Sequence, residues 1–176
     1  MINKNDIADL IQASNIAGFE VDESSLKLDY YSEKERQLFL IDWKKGERLN
    51  KAYRSIPYNH SAIYTFFLND SCLKVGKAGL NSNARFKTQH YKYKSAKSSS
   101  LPKALINQID NNKLYPHVFE NTNDCYNKLN FWIKENTIRQ DIFIEFNGDN
   151  KKHHNYFVNF CEAFFILRLK PLFEGS

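Results

Sequence analysis

Cysteine is scarce in this chain. Three occur in 176 residues, Cys72, Cys125 and Cys161, and no Cys-x-x-Cys pair is present. An odd, widely spaced set argues against a disulfide framework or a zinc knuckle and makes buried thiols in a reducing cytosol the expectation. Long apolar runs are missing too. None approaches the roughly 20 residues that a membrane span needs, and the opening Met1-Ile-Asn-Lys-Asn-Asp6 has no signal-peptide apolar region. The expected setting is cytoplasmic. No Gly-x-Gly-x-x-Gly fingerprint occurs, which disfavours a dinucleotide-dependent enzyme, and no internal repeat is visible. The most telling gap is in acid. Between Asp70 and Asp110 there is no Asp or Glu, yet eight Lys or Arg. The rest of the chain is net −3, with 17 basic against 20 acidic residues. The overall +5 is therefore concentrated in one segment, which suits a polyanion such as nucleic acid. A solvated lysine-rich loop would give the same composition.

What is present is apolar and aromatic. Such residues make up 42% of the chain, with 14 Phe and 10 Tyr, enough for a packed core and against global disorder. Ile7, Leu10 and Ile11 recur at helical spacing within residues 3–14. Residues 15–55 are mixed, and 1–55 reads as a partly helical N-terminal extension that packs on the main domain or contacts a partner. Pro57 and Asn59 mark its boundary with a domain spanning 56–176.

Within that domain, Ile63–Leu68 and Cys72–Ala78 flank Asn69-Asp70-Ser71, the pattern of a β-hairpin. Asn81 or Ser82 caps a helix through about Tyr91, and 92–100 is a polar loop. A second helix begins at Ser100 with Pro102 in its first turn, and Cys125–Lys134 is a third. Ile138–Phe146 alternates as a strand, with Ile142, Ile144 and Phe146 on one face. His154–Lys170 is a long apolar helix stopped by Pro171. Short segregated strands with covering helices predict an α+β fold with a small antiparallel three-stranded sheet, not a doubly wound one.

Several residues in this order could carry chemistry. Tyr64 lies in the first hairpin strand, either as a bonded core tyrosine or as a functional phenol. Lys74 interrupts an apolar strand, where an ammonium needs an exposed face or a site. Gly76 and Gly79 permit close backbone approach, as a phosphate would require, and Lys77 adds a second ammonium. Arg85 is either a surface arginine or a bidentate phosphate ligand. His90 and Tyr91 end that helix, to complement its dipole or to touch phosphate or a base. Glu162 is the sole acid between Asp149 and Glu174, amid Phe160, Cys161, Phe164 and Phe165. A carboxylate there must pair with a base, face water along a polar stripe, or hold a hard cation.

Taken together, Ala62-Ile63-Tyr64, Lys74-Val75-Gly76-Lys77, Arg85, Glu162 and Lys170-Pro171 resemble the motifs of the GIY-YIG nuclease superfamily over about 61–172. Two positions depart from the pattern. Ala62 replaces the first glycine, and Lys74 replaces the second tyrosine. The lysine is similar to a branch that includes certain restriction endonucleases. The resemblance implies a GIY-YIG-like fold and a phosphodiesterase dependent on Mg²⁺ or Mn²⁺, cutting DNA to leave 5′-phosphate and 3′-hydroxyl ends, in restriction or defence. Tyr64 would be the general base, assisted by Lys74, since a phenol of pKa about 10 is a poor base at neutral pH. Arg85 with Lys77 would stabilise the phosphorane, Glu162 would hold the metal, and His90 would orient water or phosphate. Lys87, Tyr91, Lys92 and Lys94 would grip the DNA. A homodimer is one arrangement for cutting both strands.

A non-catalytic nucleic-acid-binding module on the same scaffold is the main alternative. Two weaker ones take Asp141 with Glu145 as a restriction-type acidic core, or His153-His154 as a metal-binding element, although adjacent histidines on a helix do not share one side.

Overall fold

The computed structural model describes residues 1–30, 55–83, 86, 101–105, 129 and 132–173. Helix α1 spans Lys4–Ile16. Asn3 caps it by accepting from the amides of Asn5 and Asp6, and Asp6 closes a capping box back onto the Asn3 amide. After a 3₁₀ turn at Glu23–Ser25, strand β1 covers Leu26–Tyr30. The expected hairpin is formed by β2, His60–Leu68, and β3, Ser71–Ala78, joined at Asn69-Asp70. Asn69 takes a positive φ of 52°, a conformation asparagine tolerates better than most residues. Strand β4 is Ile138–Glu145, and the last helix, α2, is Lys151–Leu169. Residues 101–105 and 132–136 are helical as well.

The sheet is antiparallel, with strand order β1-β4-β2-β3. The expectation of three strands is corrected here to four. The additional strand, β1, comes from the segment read as an extension, and pairs Leu26 with Ile144 and Tyr30 with Gln140. Leu26 and Leu28 alternate with Lys27 and Asp29, the period that turns one side of a strand toward a core.

Apolar side chains cover both faces of the sheet. On one, Leu26, Leu28, Ile63, Val75, Ile142 and Ile144 pack under α1 and α2, against Ile7, Leu10, Phe157, Cys161 and Phe165. On the other, Ala62, Tyr64, Phe66, Leu73 and Phe143 pack against Phe86, Leu101, Leu105, Leu129, Trp132 and Ile133. Such two-sided burial explains why β2 reads as an unbroken apolar run rather than an alternating one.

Cys72 and Cys161 are both buried, and burial drives the Cys161 thiol far up from its ordinary range, which leaves it an inert core residue. Among the described residues no helix is long and apolar enough to cross a membrane.

Candidate active site

The hairpin register fixes where its functional side chains lie. Tyr64 is directly across from Gly76 on one side and from Asp141 on the other. Phe66 is likewise across from Lys74 and Arg139. Directly opposed residues in an antiparallel sheet share a face, so Tyr64, Lys74, Arg139 and Asp141 belong together. Asp29, opposed to Asp141 on β1, joins them. All five are buried. Leu73 is the extra residue of a bulge that shifts the register between Phe66 and Phe67, and it joins the cluster on the Tyr64 face.

Gly76 serves a different neighbour from the expected phosphate. A Cβ built there would sit 2.5 Å from Cζ and 2.6 Å from Cε2 of Tyr64. The hydroxyl end of the phenol therefore lies against the glycine, toward β3. A Cβ at Gly79 would meet nothing within 4 Å.

Arg139 fills the other side of the phenol. Its Nε donates to Asp141 Oδ1 at 2.9 Å and its Nη1 to the Phe86 carbonyl at 3.0 Å. The guanidinium carbon is 4.2 Å from the ring centre of Phe86, 5.4 Å from that of Phe66 and 5.6 Å from that of Tyr64. Neither Arg139 nor the role of Gly76 was foreseen in the sequence. The signal available for Arg139 was its place two residues before Asp141 on a strand, hence on the same face.

Lys77 and Glu162 meet. Lys77 Nζ lies 2.5 Å from Glu162 Oε2, with the two side chains 36% and 20% exposed. The pair belongs to the opposite face from Tyr64. Lys77 is opposed to Ile63, whose face packs on α2, and Glu162 is carried by α2. The hairpin phenol and the helix carboxylate are thus on the two sides of the sheet. Strand β3 is an edge strand and offers Gly76 to one side and Lys77 to the other. Part of that edge is covered. After the left-handed turn at Lys170 (φ 45°), the amides of Leu172 and Phe173 donate to the carbonyls of Cys72 and Leu73.

Arg85, His90, Lys87, Tyr91, Lys92 and Lys94 lie outside the described residues. Among the described residues, no group of three or more His, Cys, Asp or Glu is arranged to hold a metal.

The weaker acidic and histidine elements resolve into structural parts. Asp141 is the ion-pair partner of Arg139. His154 Nε2 is 2.9 Å from Ser61 Oγ, in the buried layer between β2 and α2. Burial, reinforced by nearby His60, holds the His154 imidazole below its ordinary range, which favours its neutral form. His153 packs instead against Phe19, with ring centres 5.3 Å apart. A cleft of about 260 Å³ is lined by both histidines and by Phe19, Glu145, Phe146 and Asn150 among others, and contains none of Tyr64, Lys74, Lys77 and Glu162.

No protein-family model, no curated protein and no solved structure matches this chain.

Proposed function

We propose that this protein is a metal-dependent DNA endonuclease of the GIY-YIG type. One observation carries the reading. Three parts of the motif, distant in sequence, come to two consecutive residues of the edge strand from opposite faces of the sheet: Gly76 is covered by Tyr64 and Lys77 is paired to Glu162. A phenol and a carboxylate flanking one strand edge, with Lys74 and Lys77 on that strand, suit a phosphodiester seated along the edge.

In this reading Tyr64 accepts the proton of the attacking water. Its hydroxyl end must be reached from the β3 side, because the Arg139 side is packed. Lys77 and Arg85 neutralise the developing phosphorane, and the lysines of the acid-free segment hold the backbone, with affinity falling as salt rises. The donor set fits Mg²⁺ or Mn²⁺ in a limited way. Glu162 supplies one carboxylate, and such ions commonly complete their shell with water and substrate phosphate oxygens. Lys77 must then release the carboxylate to accommodate the ion. When bound, the cation would supply Lewis-acid charge to the scissile phosphate and the leaving 3′-oxygen.

A non-catalytic nucleic-acid-binding module is the second reading. It is favoured by the complete burial of Tyr64 and by the engagement of Glu162 with Lys77.

Incubation with plasmid and genomic DNA, with Mg²⁺ or Mn²⁺, separates the two readings. Cleavage lost in both Tyr64→Phe and Glu162→Gln supports the nuclease. Binding without any cleavage by the wild type supports the module. Discrete bands identify a sequence-specific enzyme and a smear a nonspecific one; RNA run in parallel decides the substrate class.

A further inference from the structure

Four ionisable side chains, two acidic and two basic, share the Tyr64 face of the sheet: Asp29, Asp141, Lys74 and Arg139, each no more than 7% exposed. Burying charges in a sheet face that could be filled with apolar groups is a poor route to stability. Buried ion pairs are commonly replaceable by apolar side chains at no loss. The location of these charges suggests a purpose other than cohesion.

Arg139 joins polar and aromatic neighbours. One edge of its guanidinium donates to Asp141, and a further N–H donates to the Phe86 carbonyl. Its aromatic neighbours are the rings of Phe86, Phe66 and Tyr64. Only a planar, multiply donating cation makes both kinds of contact at once, and a lysine does not. Asp141, fully buried, fixes the fork, and the row Gly76–Tyr64–Asp141 puts the phenol between the bare backbone of Gly76 and this clamp. Phe86 is the residue immediately after Arg85.

We infer that Arg139, oriented by Asp141, is a positioning residue: it sets the direction of the Tyr64 phenol and ties the peptide next to Arg85 to β4. The catalytic consequence rests on the nuclease reading above. The effect on the Tyr64 ring does not.

The test uses the full chain, with Arg139→Lys and the apolar double variant Arg139→Met/Asp141→Leu. Thermal melts report folding. Initial rates on plasmid DNA with Mg²⁺ give kcat and KM. Ring signals of ¹³C-labelled tyrosine, with Tyr64 assigned from Tyr64→Phe, report the phenol directly. The double variant folds, and its KM stays within about threefold while kcat falls about 10- to 100-fold, the cost of misplacing a reacting group by about 1 Å. Its Tyr64 ring signal shifts and broadens. Arg139→Lys, which keeps the charge, shows the same kcat loss and supplies the answer if the double variant does not fold. An unchanged kcat with an unmoved Tyr64 signal overturns the inference, as does an effect confined to KM. If the wild type leaves DNA intact, the nuclease reading falls. The Tyr64 ring signal then decides alone: movement upholds the positioning role and a fixed signal overturns it.

Discussion

The phenol of Tyr64 lies across the backbone of Gly76, its partner on the neighbouring strand, so closely that no side chain fits between them. The glycine is thereby explained by packing rather than by backbone freedom, since its φ is not in the left-handed region. Gly76→Ala should force the ring to move. Overpacking of this kind costs about 1–3 kcal/mol, read as a lower urea midpoint at unchanged slope. DNA cleavage should fall further than stability does, toward the level of Tyr64→Phe. Wild-type stability and cleavage in Gly76→Ala would show that the ring does not depend on this gap.

Asp141 and Arg139 form a pair in which neither member is more than 5% exposed. Removing one partner leaves a buried charge uncompensated. Asp141→Ala should therefore destabilise the fold by about 3–5 kcal/mol, whereas the apolar double substitution should cost far less. Chemical denaturation of both variants checks the contrast, and equal losses would mean that the pair contributes through packing alone.

Much of this arrangement was legible in the sequence, and the reasons for what was not are physical. The hairpin, β4 and α2 have strong periods and clear turn residues, such as Asn69 and the Asn147–Asn150 turn. β1 was missed although Leu26 and Leu28 alternate with Lys27 and Asp29, because five residues give a weak local signal and their partner on β4 is more than a hundred positions away. Alternation marks the apolar side of β4, Ile142 and Ile144, while nothing local joins Arg139 and Asp141 on its other side in one role. Pairing of Glu162 with a basic residue was one of the readings open to it. That the base is Lys77, expected on phosphate, follows from the register of β3 against β2, which no local pattern encodes.

His154 gives the fold a defined pH dependence. Its imidazole is held below the ordinary range by burial and by His60, so the unfolded chain takes up the proton more readily than the folded one. The contribution is fully present above the unfolded value of about 6.5 and is lost as pH falls from there through the lower folded value. The groups around it include His60, Ser61, His153, Glu145 and Asp149. Thermal midpoints measured from pH 8 to pH 5 should drop on the acid side, and His154→Gln should flatten that drop. An equally steep drop in the variant would assign the acid sensitivity to other groups.

Lys77 occupies the one carboxylate that the proposed metal would use, at 2.5 Å from Glu162 Oε2. An ammonium and a divalent cation compete for the same oxygens, so the two substitutions here should have opposite signatures. Lys77→Met frees the carboxylate and should tighten Mn²⁺ binding, measured by calorimetry or by loss of the free-ion paramagnetic signal. It should also slow cleavage, because a positive charge near the phosphate is lost. Glu162→Gln should abolish both Mn²⁺ binding and cleavage while DNA binding persists, since neutralising a carboxylate beside a phosphate site removes repulsion. The pair itself is partly open to solvent and holds little stability, within about 1 kcal/mol, so neither change should shift the melting temperature much. If Lys77→Met leaves Mn²⁺ affinity unchanged, the ion does not bind at Glu162, and the metal site must be sought elsewhere in the protein.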